Sequence, residues 1–129
     1  MSSNGEVLRR YGAASEVDDF ATMGALKHPD WQLELPQSGE VFVGHDNYVA
    51  MRTSRPEGLP RLKGLRMDGE GDHWWGEDII TYGDGSRWLV VSIVTFKGGL
   101  IWRERSYFMQ PFPAQPARAQ WVTRVEPAL

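Results

Sequence analysis

Beyond Pro60 the apolar residues of this chain stop recurring at helical intervals and begin to alternate every second position, and they do so as far as Met109. That change of period constrains the fold more than any other feature. A two-residue repeat sends alternate side chains to opposite faces of a strand, whereas three- and four-residue spacing lines one side of a helix. Strands are expected at about residues 61–69, 74–82, 87–96 and 100–109. Gly83-Asp84-Gly85 and Gly98-Gly99 supply the hairpin turns between them, because glycine takes positive φ without steric cost.

Ahead of Pro60 the spacing is helical in three places. Residues 6–14 put Val7, Leu8 and Tyr11 on one stripe. A second helix is signalled by Ser15 or Asp18 as cap, then Phe20, Met23 and Leu26, with Pro29 expected to end it. Trp31, Leu33 and Leu35 alternate with Gln32 and Glu34, which predicts a half-buried strand over 31–35, and a turn follows at 36–39. Residues 44–46 lead a short third helix, 47–52, carrying Tyr48 and Met51, and 54–60 form a loop. Helices followed by a run of antiparallel strands make an α+β fold with the helices on one face of a bent sheet. Helices on the concave side cannot fill such a sheet, which leaves a pocket.

The 129 residues show no internal repeat and no low-complexity linker, so a single domain over 1–129 is expected. Six Trp, five Phe and four Tyr give it large side chains either to fill a core or to line a cavity. The net charge of −3 comes without a basic stripe, and the densest basic stretch, Arg103-Glu104-Arg105, has an acid inside it. Phosphate neutralisation would have little to work with, so no nucleic-acid partner is expected. With no cysteine, disulfides, thiolate metal sites and cysteine nucleophiles are excluded. No stretch approaches the ~18 apolar residues of a membrane span, and residues 1–11 lack the apolar run of a leader, so a cytoplasmic protein with no membrane partner is the default expectation.

The order of short motifs resembles a known superfamily. Leu8-Arg9-Arg10-Tyr11, the Asp18-Asp19-Phe20 helix start, His28-Pro29-Asp30, Pro36-Gln37-Ser38-Gly39-Glu40 and Gly44 are similar to SnoaL-like, nuclear transport factor 2-like proteins. Val91-Ser92-Ile93, Arg103-Glu104, Tyr107 and Pro111-Phe112, followed by Arg118-Ala119-Gln120-Trp121-Val122, resemble one bacterial subgroup, so that the likeness covers nearly the whole chain. It implies a cystatin-like curved antiparallel sheet wrapped around three N-terminal helices, a cone with a central pocket, and pairing into a homodimer through the convex sheet face. The superfamily includes ketosteroid isomerases, polyketide cyclases, dehydratases, epoxide hydrolases and proteins that only bind, so pocket residues and not the fold must decide the activity.

By that resemblance Tyr11 takes the place of a tyrosine on the first helix of ketosteroid isomerases that donates a hydrogen bond to a developing enolate. The alternative is a core tyrosine bonded to backbone. The isomerase's general-base Asp falls near Leu35 and its second oxyanion-hole Asp near Ser92, neither of which does that chemistry. Glu104 is the candidate acid. Period two puts Trp102, Glu104, Ser106 and Phe108 on one face of the last strand, and the resemblance turns that face into the pocket. A carboxyl between Trp102 and Phe108 is expected to be poorly solvated, with a raised pKa suited to general acid or base work. The opposite face then carries Arg103, Arg105 and Tyr107, to serve a dimer interface or solvent; the alternatives are that Glu104 points outward or pairs with Arg66 or Arg103.

Register stays open: a loop of Lys97-Gly98-Gly99 sets Ser92 opposite Glu104, whereas a loop of Gly98-Gly99 alone sets Ile93 there, and a slip of one residue turns every side chain over. Trp31, Met51, Phe96 and Trp102 form either an apolar pocket wall or plain core; Leu35 and Phe108 join the pocket, with Ser92 and Ser106 to orient a ligand. His28, His45 and His73 each stand beside an acid, but their spacing fits no metal pattern. Ser38 lacks the strand-to-helix elbow of a nucleophile and reads as a turn residue. The first expectation is therefore an enzyme acting on a small, largely apolar molecule by acid–base chemistry, with Tyr11 holding an oxygen, Glu104 moving a proton, and no metal or cofactor implied. The second is a non-catalytic ligand-binding or dimeric interaction module, and the third an adaptor that uses its outer face for a peptide.

Overall fold

The computed structural model describes residues 3–129. Helix α1 runs Asn4–Glu16, two residues longer at each end than the apolar spacing marks, because the Ser3 side chain caps it by accepting from the Glu6 N–H. It turns Val7, Leu8, Tyr11 and Ala14 inward. The cap of α2 (Phe20–Ala25) is Asp19 and neither Ser15 nor Asp18: the Asp19 carboxylate accepts from the Thr22 N–H at 3.1 Å and from the Thr22 hydroxyl at 2.6 Å. Asp18 instead takes the left-handed conformation, φ 56°, and binds Arg52.

Helix α2 stops at Ala25, well short of Pro29, and strand β1 already runs Lys27–Leu35. Its pairing with the last strand is interrupted between Lys27 and Gln32, and Pro29, which has no N–H to donate, lies in that interruption. The turn after β1 leads into a short edge strand, β2 (Glu40–Val43), that the sequence spacing does not mark. Ser38 is a turn residue, its hydroxyl 2.6 Å from Glu40 Oε1. Helix α3 (His45–Thr53) follows Gly44, whose φ of 89° turns the chain off the sheet.

Four long strands complete the fold: β3 (Arg61–Glu70), β4 (His73–Thr81), β5 (Arg87–Lys97) and β6 (Leu100–Met109), each within about one residue of its expected bounds. One curved, unclosed sheet results, ordered β2-β1-β6-β5-β4-β3, antiparallel except where β1 runs parallel to β6. A 3₁₀ turn, Pro116–Trp121, lies in the exposed C-terminal segment. Trp31, Met23 and Ile101 are the largest fully buried side chains and anchor one core with α1, Leu33, Val94 and Phe96. No helix among the described residues is long and apolar enough to cross a membrane.

Both expected registers of the last hairpin are overturned. Gly98-Gly99 is the loop, since Lys97 pairs with Leu100 and Phe96 with Ile101, but the next pair is Thr95 with Arg103. One extra residue, Trp102, therefore bulges from β6. Every later pair shifts by one, so that Val94 stands opposite Glu104 and Ser92 opposite Ser106. The bulge also removes Trp102 from the face it was expected to share. Ile101 packs in the core with no exposure, while the Trp102 ring sits 4.2 Å from the Arg103 guanidinium carbon and 4.9 Å from the Lys97 ammonium.

Candidate functional site

Between the concave sheet face and the helices lies a cavity of about 690 Å³. That is within the range that holds small ligands, about 300–1,000 Å³. Seven of the ten expected site residues line it: Tyr11, Leu35, Met51, Ser92, Glu104, Ser106 and Phe108. Trp31 and Phe96 are packed in the core, 1% and 2% exposed, and do not form its wall. Trp102 is excluded by the bulge. The Ser92 and Ser106 hydroxyls, side by side at 2.7 Å, make a polar spot on a largely apolar surface.

Glu104 sits at the inner end of this cavity, 7% exposed. Arg66 bonds Glu77 and Arg103 donates to the Asp30 carbonyl, so neither neutralises it. Its Oε2 accepts two hydrogen bonds, from the Tyr11 hydroxyl at 3.0 Å and from the Trp31 indole N–H at 2.7 Å. Its Oε1 has no hydrogen-bond partner among the described residues, and Glu104 lines the cavity. Burial raises the Glu104 pKa, against the opposing pull of Lys27, Trp31 and Tyr11. Burial, and then the Glu104 charge, push the Tyr11 phenol well above its usual value. Tyr11 is thus a neutral donor, and it donates to Glu104.

Four residues of the site carry no clear mark in the sequence. Asp78, on β4, lines the cavity, makes no hydrogen bond with its carboxyl to the described residues, and has its pKa raised to about 6 by burial and then by the charges of Glu16 and Glu104. Its stretch, Trp74-Trp75-Gly76-Glu77-Asp78-Ile79-Ile80, pairs like with like, so alternation does not tell which acid turns inward. Lys27 is buried within reach of the Glu104 charge, and burial lowers its pKa to about 8. Next to His28-Pro29 at the end of a helical pattern it reads as a solvated charge. His45 lies 2.8 Å from the Lys27 ammonium through Nδ1, and burial, then Lys27, lower its pKa. Arg52, 3% exposed, ties α3 down through Asp18 at 2.9 Å and the Tyr48 hydroxyl at 2.8 Å. Among the described residues no cluster of three His, Asp or Glu has the arrangement of a metal site.

No protein-family model and no curated protein matches the sequence. The likeness is to solved structures. A nuclear transport factor 2-like protein of unknown function from Burkholderia xenovorans is 35% identical over 95% of both chains, with a TM-score of 0.81. A candidate ketosteroid isomerase from Kribbella flavida is 25% identical over 98% of this chain and 92% of its own, with a TM-score of 0.86. An epoxide hydrolase from Mycobacterium tuberculosis, 19% identical over 81% of this chain and 80% of its own, shares the fold at a TM-score of 0.66.

Proposed function

The chain belongs to the nuclear transport factor 2-like (SnoaL-like) family of pocket proteins, and from that premise we propose that its cavity is the active site of a cofactor-independent enzyme. Its substrate is a small, mostly apolar molecule bearing a carbonyl, epoxide or hydroxyl oxygen, and the reaction is an isomerisation, elimination or hydrolysis run by proton transfer. The observation that carries this reading is the asymmetry of Glu104, a residue that lines a largely apolar cavity: one oxygen is anchored by two donors while the other has no partner among the described residues. A buried carboxyl held this way keeps its proton on the free oxygen Oε1, where it donates to a substrate oxygen. Tyr11 and Trp31 fix the direction of that donation and stabilise the carboxylate left behind.

The complementary base is Asp78. With no hydrogen bond to occupy it and a pKa near neutrality, it takes a proton either from carbon beside the substrate oxygen or from an attacking water. The Glu104 charge helps raise the Asp78 pKa, the influence expected of two carboxyl groups that share a site. Ser92 and Ser106 orient the oxygen-bearing end. The likeness to the Kribbella protein favours carbonyl chemistry, but by the family resemblance the isomerase acids fall near Leu35 and Ser92 here, so the proton would be moved by a different set of residues.

The test is turnover of a panel of cyclic ketones, epoxides and β-hydroxy ketones in D2O, followed by mass spectrometry for product and for deuterium gained at carbon. The expected result is turnover or exchange with at least one class, and a kcat/KM that falls about tenfold per pH unit below about 6, as Asp78 takes up its proton. Saturable binding without turnover or exchange would instead make the chain a ligand-binding module.

A further inference from the structure

Lys27 is a buried cation, 6% exposed, that the proposed chemistry does not use. Its ammonium lies 3.6 Å from the ring centroid of Trp31, 4.4 Å from that of Tyr48 and 5.6 Å from that of Tyr11. Three aromatic faces thus take the place of water around the charge. The remaining contact is His45 Nδ1 at 2.8 Å. On the far side of that ring Nε2 lies 2.8 Å from the Phe20 carbonyl oxygen, which only accepts, so Nε2 carries the proton and Nδ1 is the bare acceptor for the ammonium.

Two walls of this cage, Trp31 and Tyr11, are also the two donors to Glu104 Oε2. The cage and the carboxylate shell are one assembly: the rings turn their faces to the ammonium and their N–H and O–H edges to the carboxyl. We propose that Lys27 is a positioning residue, a fixed internal cation that sets the proton affinity of Glu104 and holds Trp31 and Tyr11 in line with it. The other charges around the assembly lie on other elements. Arg52 of α3 is bound to Asp18 and Tyr48, Asp46 lies beside His45 in the first turn of α3, and Asp78 of β4 is the second acid. Lys27 is the cation that acts most on Glu104.

The inference rests on the reading of Glu104 as the acid for its catalytic meaning, yet it is measured without turnover, so either one fails visibly without the other. Glu104 is titrated by carbon-detected NMR in wild type, in Lys27→Met and in Lys27→Ala supplied with ethylammonium or with neutral propanol. Loss of the ammonium is expected to raise the Glu104 midpoint by about one pH unit or more. Ethylammonium is expected to restore both the midpoint and the melting temperature of Lys27→Ala, and propanol neither. An unchanged midpoint in folded Lys27→Met overturns the proposal. Should that variant not fold, the Ala variant decides: rescue by the cation alone supports the proposal, while rescue by both compounds or by neither overturns it.

Discussion

Asp78→Asn is expected to lower turnover by about 10²–10⁴-fold and, at pH 7, to raise stability. The loss follows from the role: an amide cannot accept the proton, while its shape and its place in β4 are kept. The gain follows from linkage. The folded protein holds the Asp78 proton more tightly than an unfolded chain does, with a pKa of about 6 against an ordinary 3.8. Between those values the folded state keeps a proton that the unfolded state has lost, so folding stability falls as pH rises from about 4 to about 6 and then levels off. The full displacement corresponds to about 3 kcal/mol, and water in the cavity screens part of it. The variant is expected to gain about 1–2 kcal/mol at pH 7, a rise in melting temperature of roughly 3–10 °C, and to gain nothing below about pH 4. Calorimetry at both pH values with kcat on the same samples checks this. A stability gain without loss of turnover would leave Asp78 a strained wall residue and not the base. Such an exchange of stability for activity is what an acid kept unpaired in a closed site produces.

The second large effect is at Glu104. Removing its side chain in Glu104→Ala leaves the Tyr11 hydroxyl and the Trp31 N–H without an acceptor inside the core. The expected cost is about 2–5 kcal/mol, because two buried donors lose their acceptor and each then carries its own desolvation penalty. Glu104→Gln keeps an oxygen for both donors and loses only the acidic proton, so it is expected to cost less than half as much. Urea unfolding of the pair gives the comparison. Equal, small losses would mean that the carboxyl does not hold this end of the fold together.

What was legible in the sequence divides along physical lines. Strands β3 to β6 were legible because each is a local run of alternation bounded by glycine turns. Strand β2 has four residues and lies on an edge, too short to show a period. The parallel pairing of β1 with β6 is a long-range choice with no local signature. Glu104, Ser106 and Phe108 kept their common face because all three lie beyond the bulge, whereas Trp102 is the bulge itself and turned away. No composition rule announces a residue left out of the ladder. Tyr11 was legible from the helical stripe and the resemblance, but its partner was not: the bond to Glu104 spans 93 positions. Lys27 and Asp78 escaped because charge in a sequence reads as surface, and only the fold shows which charges it buries.

The proposed chemistry depends on the protonation of one carboxyl group in a largely apolar cavity. Titration of Glu104 in the unliganded wild-type protein, by carbon-detected NMR, tests it most directly. A midpoint clearly above the ordinary glutamate value of 4.5 is the predicted result. A midpoint at or below that value would contradict it, since a carboxyl already ionised in the empty cavity has no proton to give.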